Sequence, residues 1–222
     1  MPYHLDAEKI SLDDLRKRIE ATDLVPSRAS LLEEIESKMK VLKQQGITTL
    51  ARLRNELKTS KRLEAVANAT EIETQYLTLL RREIESYFPK PFALKSFDWL
   101  SGKEIAKLER NGIKDTAALY EAANTSQQRI TLAKSTGIDE NILETLAQLS
   151  DLTRVQWVSP TAARMLVEAG WCNAAELARA DADELDQAFV RVNIGNRLFK
   201  GKIGLRDVKR LIHAAQYIEK EK

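Results

Sequence analysis

Short amphipathic segments, each closed by a glycine that an apolar residue follows at once, recur along this chain and predict helices joined by tight turns. The recurrence has a period. Displacing the sequence by 66 positions lays residues 42–80 on 108–146 without a gap and pairs Gly46 with Gly112, Ile47 with Ile113, Leu53 with Leu119, and Ala67 with Ala133. A partial third copy lies 58 positions further on, where the segment starting at Trp99 is matched by one starting at Trp157, and Gly112 by Gly170. Three residues after each glycine stand Thr49, Asp115 and Asn173, all of which cap helix N-termini, so every copy reads helix, left-handed glycine turn, helix.

Other helix starts agree. Ser101 with Glu104, and Ser30 with Glu33, have the spacing of capping boxes, Leu100 and Ile105 that of a hydrophobic staple, and Ser159 precedes a proline at the first helical position. Pro89 and Pro91 interrupt the helical pattern and hold the residues before them extended. They predict an N-terminal module over 1–88 with the first repeat, a linker over 89–97, and a C-terminal module over 98–222 with the second and third repeats. Tyr87, Phe88, Phe92 and Phe97 are read as clips holding the linker to its neighbours.

Composition changes this picture little. A hydrophobic fraction of 43% with 31% charged residues is that of a globular chain that folds without staples. Lys+Arg 35 against Asp+Glu 33 leaves +2, so an argument for a charged partner has to be local. Cys172 is the single cysteine, which excludes an intrachain disulfide and fits a reducing compartment. No basic-then-apolar leader and no long apolar run stands out, so the expected location is cytoplasmic, with no membrane partner. His4 and His213 lie in no ligand or base motif, and neither a phosphate loop nor a nucleophile elbow occurs. The expectation is a protein that is not an enzyme, with no cofactor, no metal site and no catalytic residue.

The repeated unit, together with YLTLLRREIESYFPKP and the terminal VNIGNRLFKGKIGLRDVKRLIHAAQYI, resembles an uncharacterised bacterial domain-of-unknown-function family with tandem helix-hairpin-helix-like repeats. The resemblance implies an all-α fold of tandem helix-hairpin-helix-like helical repeats and is nearly silent on function. In DNA-binding hairpins of this kind, glycine, apolar residue and glycine let the backbone approach phosphate. Here Trp99, Leu100 and Ser101 occupy those positions in one hairpin, and Trp157, Val158 and Ser159 in the next. Both are therefore expected to be structural, with both indoles buried.

The last hairpin keeps one glycine, as Lys202, Ile203 and Gly204, with Val208 and Leu211 at the matching spacing. Between 191 and 210 the basic residues Arg191, Arg197, Lys200, Lys202, Arg206, Lys209 and Arg210 are opposed by Asp207 alone. Lys200, Lys202, Gly204, Arg206, Lys209 and Arg210 are the candidate nucleic-acid-binding residues, for contact with the backbone and without base specificity. Two alternatives stand beside this: a solvated basic face, with or without pairing to the acidic segment Asp181, Asp183, Glu184 and Asp186, and a protein-protein interaction scaffold that has lost phosphate binding. A smaller basic group, Arg52, Arg54, Lys58, Lys61 and Arg62, is read as a solvent face.

Overall fold

The computed structural model describes residues 2–97, 99–201 and 203–219. Among these residues the secondary structure is helical, without strands and with two isolated bridges. The chain divides into two units, one of residues 5–88 and one that joins residues 1–4 to 89–222.

In the N-terminal unit, α1 (Leu12–Ala21), a 3-10 turn (Pro26–Leu32), α2 (Ile35–Gln44), α3 (Leu50–Glu56), α4 (Ser60–Thr70) and α5 (Thr74–Ser86) follow in order. Their apolar faces bury Leu12, Leu15, Ile19, Leu42, Leu53 and Leu77, spaced three, four or seven residues apart within α1 as one helical stripe demands. The capping box expected at Ser30 and Glu33 is not formed. Tyr76 donates from its hydroxyl to the Leu31 carbonyl at 3.0 Å and Leu31 is buried, so Ser30 stays inside the 3-10 turn and its carbonyl takes the Glu33 N–H at 3.1 Å. α2 begins later, after Glu34 in left-handed geometry.

The C-terminal unit contains a 3-10 turn (Leu94–Ser96), α6 (Gly102–Arg110), α7 (Thr116–Ala123), α8 (Ser126–Thr136), α9 (Glu140–Leu152), α10 (Pro160–Glu168), α11 (Ala174–Ala178), α12 (Ala182–Asn196) and α13 (Leu205–Glu219). Residues 89–97 are more than a connector. Leu94 and Phe97 are buried, the Thr116 N–H donates to the Phe92 carbonyl at 2.9 Å, and Ala93 bridges Asp115. The extended geometry that the prolines impose suits such a bridge. Tyr3 is also buried in this unit, its hydroxyl within 3.0 Å of Thr116 Oγ1 and 3.1 Å of Thr153 Oγ1.

The helix bounds keep the sequence period. α4 and α8 run 60–70 and 126–136, and α5 and α9 run 74–86 and 140–152, each pair 66 positions apart. Gly46, Gly112 and Gly170 have φ of 75°, 81° and 99°, and after each the next N–H returns to a carbonyl five residues back: Ile47 to Leu42, Ile113 to Leu108, Trp171 to Leu166. These are Schellman closures, which satisfy carbonyls left open at a helix end. Thr49, Asp115 and Asn173 accept backbone N–H groups as N-caps of the helices that follow.

Two substitutions are expected to act with opposite sign. A Cβ at Gly112 would meet no neighbouring atom, so Gly112→Ala should cost about 1 kcal/mol through backbone geometry alone. Glu71 holds φ of 60°, and Gly137, 66 positions on, holds φ of 62°, so Glu71→Gly should stabilise by about 0.5 kcal/mol. Chemical denaturation of the two variants checks both signs.

Candidate nucleic-acid interface

α12 and α13 carry the candidate site, and α13 is held by packing chiefly against α11 and secondly against α12. Its buried face consists of Val208, Leu211, Ile212, Ala214, Ala215 and Ile218, which leaves Arg206 and Lys209 on the solvent side. Asp181 caps α12, accepting from the N–H groups of Asp183 and Glu184. The acidic segment therefore sits at the helix N-terminus, where the helix dipole favours it. Arg197 closes the other end, its N–H on the Asn193 carbonyl at 2.8 Å. At 1.5 Å per residue, Asp186, the last residue of the acidic segment, and Arg197 stand about 16 Å apart along the axis, beyond the ~10 Å range over which exposed charges interact at ordinary salt, whereas Arg191 stands only about 8 Å from Asp186. The acidic segment is therefore out of reach of Arg197 but within reach of Arg191.

The expected residues are not equally placed. Lys200, Arg206 and Lys209 are exposed and Gly204 is partly exposed. Lys202 lies outside the described residues. Arg210 does not join the exposed group: its side chain is largely covered and stands 3.7 Å from Asp207. Gly204 opens α13, its carbonyl accepting from the Asp207 and Val208 N–H groups, and a Cβ there would meet open space. The Gly204 N–H, however, donates to Asp207 Oδ2 at 3.2 Å. A carboxylate thus occupies one of the amides that a phosphate would use.

Phe199 and Asn193 were missed from sequence. Asn193 accepts the Phe199 N–H on Oδ1 at 2.8 Å and donates from Nδ2 to the Phe199 carbonyl at 2.9 Å, which ties the loop to the last turn of α12. Phe199 is 41% exposed, and Val190 and Ile194, one turn apart on α12, are 49% and 75% exposed. The legible signal was an aromatic residue between Arg197 and Lys200; the side-chain clamp across six residues was not legible.

The expectation of two buried indoles is corrected. Trp157 is 44% exposed and takes φ of 69°, a left-handed geometry. Its neighbours Gln156 and Val158 are buried, and a turn that sends both inward directs the residue between them outward. Trp99 is partly exposed over a shallow hollow of about 290 Å³ bordered by Leu149 and Val167.

Elsewhere, Arg54 is committed to Glu85 through two hydrogen bonds of 2.8 Å and to the Phe88 ring, and these bonds hold the Glu85 carboxyl below its ordinary range. Arg62 donates to the Asn55 carbonyl. Tyr87, Phe88 and Phe97 are buried. Cys172 is partly exposed, and desolvation, followed by Glu176 and Glu144, pushes its thiol up and away from the reactive thiolate. No helix among the described residues is long and apolar enough to cross a membrane.

A family model described as a domain of unknown function (DUF4332) matches residues 100–218, more than half of the 222-residue chain. No curated protein and no solved structure matches it.

Proposed function

The chain belongs to the DUF4332 family, and we propose that it is a non-enzymatic binding protein whose last hairpin, between α12 and α13, contacts nucleic-acid backbone without reading base sequence. The repeated helix, glycine turn and capped helix support reading the modules as tandem helix-hairpin-helix units. The observation that carries the proposal is the exposure of Arg197, Lys200, Arg206 and Lys209 around one helix junction, with Arg197 about 16 Å along α12 from Asp186, the last residue of the acidic segment. Such a patch gains affinity by releasing counterions from phosphates. Because the Gly204 amide is held by Asp207, side-chain cations rather than backbone amides supply the contacts.

Binding of labelled oligonucleotides, followed by fluorescence anisotropy, is expected to weaken steeply with salt. Lys200→Ala and Lys209→Ala should each flatten the logarithmic salt dependence by about one unit, to the same extent on unrelated sequences. Absence of binding at low salt, or binding indifferent to both changes, refutes the proposal. Exposed Val190 and Ile194 favour a second reading, a protein-interaction scaffold, which would then stand.

A further inference from the structure

Resting on that reading, we infer that the hairpin takes single-stranded nucleic acid, with an unpaired base stacked on Phe199 and phosphates met by Arg197 and Lys200. Phe199 is exposed yet held. Both its backbone groups are bonded to the Asn193 side chain, and its ring lies so close over Gly201 that a Cβ there would stand 2.6 Å from Phe199 Cε1. Exposing a large ring to water is unfavourable, and fixing its backbone restricts it further. A ring that is both exposed and fixed is arranged for a flat partner, and its chain neighbours on either side include a guanidinium and an ammonium group. Cations beside an aromatic face are the elements of a sequence-tolerant single-strand site, since every base has a stacking face.

The same surface is poorly suited to a duplex. Duplex bases are stacked on one another and have no face to offer Phe199. The backbone-amide grip by which a glycine hairpin holds duplex phosphate is compromised here, with Ser159 Oγ on the Ala162 N–H at the α10 hairpin and Asp207 on Gly204 at the last one. Val190 and Ile194 are exposed apolar residues on the side of α12 that leads to Arg197.

The test uses the full chain and three labelled probes of equal length: an oligothymidylate, an abasic strand carrying the same phosphates, and a duplex. The oligothymidylate is expected to bind on the order of tenfold tighter than the abasic strand. Phe199→Ala should abolish that preference while leaving abasic binding unchanged. Gly201→Ala should do the same with ring and charges intact, because the methyl displaces the ring. Circular dichroism establishes that each variant is folded. Equal affinity for thymidylate and abasic strands, preference for the duplex, or indifference to Phe199→Ala would overturn the inference while the backbone-binding proposal survives. Failure to bind any of the three overturns both. Phe199-dependent binding to anionic phospholipid vesicles, with none to the strands, assigns the surface to a membrane instead.

Discussion

Arg154→Ala is expected to destabilise the C-terminal unit by about 3–5 kcal/mol, the cost of breaking a buried ion pair from one side. Arg154 is 3% exposed. Its Nη1 donates to Asp151 Oδ1 at 2.7 Å and to the Tyr120 hydroxyl at 2.5 Å, its Nε donates to the Tyr3 carbonyl at 2.9 Å, and its guanidinium carbon stands 4.3 Å from the Tyr120 ring centroid. The other Asp151 oxygen accepts the Ala174 N–H at 2.8 Å at the start of α11, the helix on which α13 packs. Truncation would take a donor from one Asp151 oxygen and from the Tyr3 carbonyl and loosen the seat of α13. Trp99, Trp157 and Trp171 all lie in this unit, so tryptophan fluorescence during denaturation reports on it selectively. A loss below 1 kcal/mol would show the network to be dispensable. Tyr3→Phe, which keeps the ring and removes the hydroxyl bonded to Thr116 and Thr153, should cost about 1 kcal/mol.

In the N-terminal unit the comparable weak point is the ion pair of Arg28 with Glu83. Glu83 is 1% exposed on α5, whereas Arg28 comes from the 3-10 turn and is partly solvated. Arg28→Ala abandons a carboxylate in the core, and a loss of about 3 kcal/mol is expected. Replacing both partners with apolar residues of similar volume, Arg28→Met with Glu83→Leu, should restore most of it, because the desolvation cost disappears together with the attraction. Hydrogen exchange of α5 peptides checks the pair: faster exchange in the single variant and near-normal protection in the double. Unchanged protection in Arg28→Ala would mean that Glu83 is satisfied without its partner.

Where the chemistry was local, the sequence was a sufficient guide. A glycine three residues before a capping side chain defines a Schellman closure and a helix start through contacts within one turn, so the junctions at Gly46, Gly112 and Gly170 were legible without knowledge of the packing. The Ser101 and Glu104 box formed for the same reason. Ser30 and Glu33 share its spacing, but Tyr76, 45 residues after Leu31, holds the segment in a different turn.

The candidate site divides along the same line. The density of cations between 191 and 210, and the glycine that opens α13, are properties of the sequence alone, because charge and backbone freedom travel with the residue. Which cations face solvent, that Arg210 is covered, that Asp207 takes the Gly204 amide, and that Asn193 presents Phe199 to solvent were decided only by tertiary structure. Each depends on which face of α13 is consumed by packing and on how Phe199 is tied back to Asn193 on α12. Burial and side-chain clamps are properties of pairs of residues brought together by the fold. The pattern of single residues determined the helices and their turns, but not the partners that the turns would find.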